Sequence, residues 1–193
     1  MFSKVKVLLL SFLRRILGHH LIVKSQQDLL FASHFLNSVS SVIHIGANDG
    51  EERDLYERFA LRVLWIEAIP TVFKQLQSNI AGYNRQDAIQ GLVTDVDDEE
   101  YTLNIANNNG ASSSILQFSK HSEVWPEIKF EESISLNGKR LVTLLENHAI
   151  KSEQYEALVL DTQGTELLIL KGAESILKHF RFIKVEAADF ESY

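Results

Sequence analysis

The chain has no cysteine. That excludes disulfides, zinc–thiolate sites, iron–sulfur ligation and a thiol nucleophile together, and it suits a reducing compartment. A basic surplus is also missing. Against 19 Lys and Arg stand 26 Asp and Glu, a net charge of −7, so little is available to neutralise a nucleic-acid backbone. Long apolar runs are absent too. The longest, residues 7–13, includes Ser11 and is stopped by Arg14 and Arg15. A membrane span needs about 20 apolar residues, and a secretory signal needs a longer apolar region with a small-residue cleavage site. What remains is a chain of 193 residues that is 45% hydrophobic, which suits one domain with a buried core.

The N-terminus differs from the rest. Residues 1–24 contain Lys4, Lys6, Arg14, Arg15 and Lys24 and no acid. They read as a short basic amphipathic helix, separate from a domain spanning residues 25–193. Two roles stand for it: resting on an anionic membrane surface, or packing its Leu/Phe face on the domain or a partner. The expected location is the cytoplasm, with peripheral contact at the inner face of the membrane.

The most telling segment is Val42-Ile43-His44-Ile45-Gly46-Ala47-Asn48-Asp49-Gly50. A short apolar strand runs into a glycine turn that opens a helix-forming stretch, residues 51–60. Such a turn lets a ligand approach the main chain, and free amides at a helix start favour polar groups. Glu67 lies 21 residues after Gly46 at the end of the next apolar strand, placed to grip ribose hydroxyls. The turn lacks the G-x-G-x-x-G of a dinucleotide site. Its acids, Asp49, Glu51 and Glu52, repel a pyrophosphate and suit a ligand with positive charge. S-adenosylmethionine, with a sulfonium and an ammonium, fits better.

Periodicity predicts strands alternating with helices after residue 25. Helices are expected at residues 26–37, 51–60, 71–80 (with Pro70 in the first turn), 144–149 and 166–180. Strands are expected at residues 42–45, 62–67, 88–94, 101–106, 133–143, 157–160 and 182–185. The result is an α/β fold with a doubly wound, mostly parallel sheet. Ligands bind beyond the carboxyl ends of such strands, so Gly46, Asp49, Glu67, Asp161 and Glu186 are expected on one rim. Residues 107–114, Asn-Asn-Asn-Gly-Ala-Ser-Ser-Ser, read as a polar functional loop. The acidic run 95–100 lacks the glycine and spacing of a calcium loop, and no metal site is expected.

Four ordered blocks together resemble the FkbM family of S-adenosylmethionine-dependent methyltransferases. They are His44-Ile45-Gly46-Ala47-Asn48-Asp49-Gly50; Trp65-Ile66-Glu67-Ala68 with Pro70; Asn108-Asn109-Gly110 with Ser112-Ser113-Ser114-Ile115-Leu116; and Leu160-Asp161-Thr162-Gln163-Gly164-Thr165-Glu166-Leu167 with Leu170-Lys171-Gly172-Ala173. The resemblance implies a class I methyltransferase, Rossmann-like fold and methyl transfer to a hydroxyl of a sugar, glycan or natural product. It implies that Gly46, Ala47, Asn48 and Gly50 line the methionine moiety, Glu67 the ribose, and residues 92–95, Asp95 included, the adenine; Asp49 is a further cofactor-binding candidate. Asp161 would face the reaction centre, and Glu186 matches the acid ending the next strand.

Val159 stands where the family often has lysine, and Gln163 where it often has glutamate. The chain stops at Tyr193, before the antiparallel strand hairpin that usually completes this fold, so the expectation is a curtailed sheet or a fragment.

A sugar hydroxyl is a weak nucleophile, so a base or a metal should assist. Asp161, His121 and Glu186 are the candidates. Asn109, Ser112, Ser113, Ser114 and Gln163 are the candidates for holding a small-molecule or glycan acceptor. Two other readings stay open. A nicotinamide-dependent oxidoreductase shares the strand–glycine–helix unit and Glu67. A non-catalytic Rossmann-like scaffold or binding domain would keep the fold without the chemistry.

Overall fold

The computed structural model describes residue 12, residues 34–119 and residues 121–186. The basic N-terminal stretch, apart from Phe12, and most of the helix expected at 26–37 lie outside the described residues. Phe12 packs against the core. A 3-10 turn, His34–Ser38, leads into the sheet. No helix among the described residues is long and apolar enough to cross a membrane.

Five parallel strands form the main sheet: β1 (Ser41–Ile45), β2 (Arg62–Glu67), β3 (Gln86–Gln90), β7 (Ala157–Leu160) and β8 (Phe182–Val185). Their order is β3-β2-β1-β7-β8. This is a doubly wound sheet, with its order reversing at β1. Every residue of β1 and β7 is buried, which is why these strands read as continuous apolar runs.

Alternate side chains serve two cores. Ile43, Ile45, Leu64, Ile66, Leu158 and Leu160 point to one face. There they meet Leu141, Leu144 and Leu145 of α4 (Leu141–Asn147) and Ile169 and Leu170 of α5 (Glu166–Gly172). Val42, Val63, Trp65, Ala157 and Val159 point to the other. That face is covered by Tyr56 of α1 (Arg53–Arg58) and by Leu76 and Ile80 of α2 (Pro70–Ile80). Pro70 opens α2, where its missing N–H costs nothing, and Val72, Leu76 and Ile80 recur every four residues on its buried side.

A second, three-stranded sheet stands beside the first, in the order β4-β6-β5: β4 (Leu92–Val93), β5 (Glu100–Ala106) and β6 (Phe130–Lys139). The single strand expected over 88–94 is therefore two. The chain leaves the main sheet at Gly91, where a Cβ would sit 2.9 Å from Leu144, and β4 then pairs with β6. β5 is the expected antiparallel strand, and β6 is its partner. α3 (His121–Val124) lies between them in sequence.

Other boundaries moved because of contacts with residues far along the chain. α4 starts at Leu141, three residues early, because Asp97 accepts from the Arg140 amide at 2.8 Å and from its Nε at 2.7 Å. The acidic run thus ties two elements together. The long helix expected to reach residue 180 stops at Gly172. A Cβ there would meet the Thr94 carbonyl at 2.2 Å, so β4 and α5 approach through a glycine. A 3-10 turn, Leu177–His179, finishes the crossover.

His44 is an uncommon core residue. It is 2% exposed, stacks on Trp65 at 4.9 Å between ring centroids, and shares a 3.0 Å hydrogen bond between Nδ1 and the Tyr56 hydroxyl. Burial, with Lys184 adding to it, holds its imidazole down at about 3. An unfolded chain takes up this proton below about 6.5, the folded one only near 3. Protons therefore favour unfolding across that window, and His44 stabilises the fold above it. Between pH 6.5 and 4.5, denaturant titration should show His44→Gln losing about 1–3 kcal/mol less stability than the wild type. Equal losses would refute the buried neutral imidazole.

Candidate active site

The site grows from the end of β1. Gly46 has φ +81°, and a Cβ on it would lie 2.1 Å from the Asp161 carbonyl oxygen at the end of β7. Only glycine fits both the left-handed backbone and that contact. Its amide, with that of Ala47, donates to the Ile66 carbonyl at 3.0 and 3.2 Å. The turn continues through Asn48, φ +46°, to Gly50, φ +79°.

Glu67 braces this turn. Its Oε2 accepts from the Asn48 amide and its Oε1 from the Ile69 amide, each at 2.8 Å. The residue is 6% exposed. Burial raises its pKa, and the amides of Ile69, Asn48 and Ala68 oppose the shift. A carboxylate has about four acceptor positions, so a brace of two amides leaves capacity for ligand hydroxyls.

Between this turn and the second sheet opens a cleft, with about 610 Å3 of space between protein atoms, part of it open to solvent. Gly46, Asn48 and Glu67 form one wall. Ile69, Leu92, Val93 and Leu103 supply apolar surface, and Gly110, Ser113, Ser114 and Ile115 come from the polar loop. Asp161, Thr162, Gln163 and Thr165 close the side nearest β7.

Sequence reasoning named Gly46, Asn48, Glu67, Asp161, Ser113, Ser114 and Gln163, and the structure gathers them around this one cleft. Ala47, Asp49, Gly50, Asn109 and Ser112 belong to the same turn and loop without lining it. Asp49 accepts from Asn79 Nδ2 through its backbone carbonyl at 2.7 Å. Asp95 also stands apart, with its Cα packed where Gly172 leaves room. Leu92 and Val93 line the cleft in its vicinity. His121 begins α3, and its side chain is not among those described.

The loop serines carry internal duties. Asn108 Nδ2 donates to Ser112 Oγ at 2.9 Å, the Ala106 amide donates to Ser113 Oγ at 3.0 Å, and Ser114 Oγ donates to the Gln163 carbonyl at 2.6 Å. These bonds shape the wall.

Two carboxyl groups come together where β7 and β8 end. The Asp161 amide donates to the Ile45 carbonyl and the Glu186 amide to the Leu160 carbonyl, both at 2.9 Å, so neighbouring strand tips carry the two acids. Burial pushes the Asp161 carboxyl up to about 7. The Glu186 charge adds to this, Lys184 opposes it, and Glu52 adds less. Glu186 itself is exposed. A carboxyl near neutrality beside a cleft is suited to exchanging a proton with a bound hydroxyl. Among the described residues, no group of three or more His, Asp or Glu could hold a metal ion.

Glu166 and Thr162 escaped the sequence reading as site residues. Glu166 looks like an ordinary acidic residue at a helix start, and only the fold shows it 3% exposed beside the cleft.

The contact at Gly46 generates a prediction. Gly46→Ala should lower the unfolding free energy by about 1–3 kcal/mol from backbone conformation alone, with the Asp161 contact adding to it. A urea midpoint equal to the wild type would show that the turn is not held as described.

Solved structures with a similar arrangement include a putative caffeoyl-CoA O-methyltransferase from Staphylococcus aureus, at 23% identity and TM-score 0.29. A putative O-methyltransferase from Klebsiella pneumoniae matches at 18% and 0.29. The O-methyltransferase TomG from Streptomyces achromogenes, in complex with S-adenosylmethionine, matches at 14% and 0.28. The matched parts cover 46%, 46% and 47% of this chain and 44% of each of those chains. A search of curated proteins returns no match.

The methyltransferase FkbM domain matches residues 44–193, which contain the glycine turn, Glu67, the serine loop and Asp161. S-adenosylmethionine is the cofactor that accompanies this domain. From β1 onward, the chain belongs to the FkbM methyltransferase family.

Proposed function

We propose that the cleft transfers the methyl group of S-adenosylmethionine to a hydroxyl oxygen of a sugar, glycan or natural product, with Asp161 as the proton acceptor. The observation that carries this reading is the Asp161 carboxyl, which lines the cleft beside the Gly46 turn with its pKa raised to about 7.

The residues fit the cofactor. Asn48 lines the cleft, and its buried side-chain oxygen has no hydrogen-bond partner. An acceptor left so suits the ammonium of the methionine moiety, since an unmet buried polar atom costs free energy. Asp49 Oδ1 is in the same condition one residue on. Glu67 has capacity for the ribose hydroxyls, and Ile69, Val93 and Leu103 offer a purine an apolar bed.

Bound there, S-adenosylmethionine supplies an electrophilic methyl on a sulfonium sulfur. The rest of the work falls to this chain. Ser113, Ser114 and Gln163 shape the wall against which an acceptor rests, and fixing its oxygen in line with the methyl lowers the barrier. As the new oxygen–carbon bond forms and the sulfur–carbon bond breaks, Asp161 takes the hydroxyl proton. The Glu186 charge beside Asp161 adds to burial in keeping that proton affinity high. Among the described residues, the cleft wall carries Glu67 and Asp161 and no lysine or arginine, which favours a neutral acceptor over a phosphorylated one. The same reading makes residues 25–193 the catalytic domain and residues 1–24 a basic segment accessory to it.

The test is transfer of labelled methyl groups from S-adenosylmethionine into a pool of neutral glycans. The rate should climb with pH through about 7 as Asp161 ionises, fall at least ~100-fold in Asp161→Asn, and persist in His179→Ala. An Asp161→Asn enzyme at full rate would overturn the base assignment. No transfer by a wild type that binds the cofactor would overturn the acceptor class. Separately, Glu67→Ala should weaken S-adenosylhomocysteine binding by about 1–3 kcal/mol in calorimetric titration; an unchanged dissociation constant would remove Glu67 from the ribose.

A further inference from the structure

The segment joining β7 to α5 reaches the cleft without secondary structure of its own, yet it is held on both sides. From the second sheet, Ser114 Oγ donates to the Gln163 carbonyl at 2.6 Å. Ser114 is 2% exposed, and Asn104 fixes its backbone with Nδ2 donating to the Ser114 carbonyl at 3.2 Å. From α5, Glu166 Oε1 accepts from Thr162 Oγ1 at 3.1 Å and from the Gly164 amide at 3.3 Å. Gly164, at φ +89°, lets the chain turn back toward the carboxyl. Thr162 also presses on the cofactor turn, its Cγ2 3.0 Å from where a Cβ on Gly46 would lie.

Burying an ionisable group costs free energy unless its oxygens are used. A leucine would fill the Glu166 position without that cost. The carboxyl earns its place by what it accepts, and both of its donors flank Gln163. Burial pushes Glu166 up to about 7, and in either protonation state an oxygen remains to accept. A glutamine would present an oxygen in the same way.

We infer that Glu166 is a positioning residue of the cofactor cleft: with Ser114 it clamps the Thr162–Gly164 segment, so that this segment keeps its place against the Gly46 turn. The inference rests on the cofactor reading given above. The clamp acts through an acceptor oxygen, not through charge. It joins elements from both sheets at a segment that touches the Gly46 turn and the serine loop together.

The experiment pairs calorimetric titration of S-adenosylhomocysteine with amide hydrogen exchange in the full-length protein. Glu166→Ala should weaken binding roughly tenfold and speed exchange at Gly164 by at least ~10-fold, leaving Ile43 and Leu158 protected. Glu166→Gln should restore both readouts to within about threefold of the wild type. Ser114→Ala should speed exchange across Thr162–Gly164 as well. The inference is overturned if Glu166→Gln is as harmful as Glu166→Ala, or if Glu166→Ala changes neither readout. Should Glu166→Ala fail to fold, Thr162→Val decides, since it removes one donor and keeps the shape. Faster exchange at Gly164 in that variant supports the clamp, and wild-type exchange rejects it. A wild type that does not bind S-adenosylhomocysteine refutes the cofactor reading, while exchange at Gly164 still judges the clamp.

Discussion

The contact on which the rest depends is the close approach of two strand ends, the bend after β1 and the peptide of Asp161 after β7. A carbonyl oxygen occupies the space where residue 46 would carry a side chain. The approach is possible because both strands are central and fully buried, so neither can shift away without disturbing both cores. The glycine turn and the Asp161 peptide are therefore fixed relative to each other by backbone packing. Flexible side chains are left only the finer adjustment.

Electrostatics follow from the same crowding. Glu67, Asp161 and Glu166 are all drawn out of water near one rim, and burial raises the proton affinity of each. Their partners separate their roles. Glu67 accepts two backbone amides, Glu166 accepts a hydroxyl and an amide of a neighbouring segment, and Asp161 faces another carboxylate. The group whose neighbours least favour its charge is the one suited to proton transfer.

Much of this was legible in the sequence because it depends on local pattern. The β2 boundaries, 62–67, and those of β7 and β8 follow from apolar runs bounded by polar residues, and Gly46, Glu67 and Asp161 fall at strand ends by spacing alone. The failures share a cause: each depended on a distant residue. Nothing near Gly91 announces that Leu144 leaves no room for a Cβ there. Nothing near residue 172 reveals the Thr94 carbonyl that requires a glycine and cuts the helix short. Asp97, one acid of the run 95–100, gives no sign in the sequence that it holds the start of α4. Glu166 is of the same kind, since a helix-start acid cannot be told from a buried brace until β7, α5 and the serine loop are packed together.

The break at Gly91 has a consequence for the cleft. It splits the domain into two sheets, and Leu92, Val93 and Leu103 of the second line the cleft together with Gly46 and Glu67 at the strand ends of the first. Whatever the cleft holds sits across a seam, so a substitution that moves the β5–β6 ribbon reshapes one of its walls while the glycine turn opposite stays anchored in the buried strands.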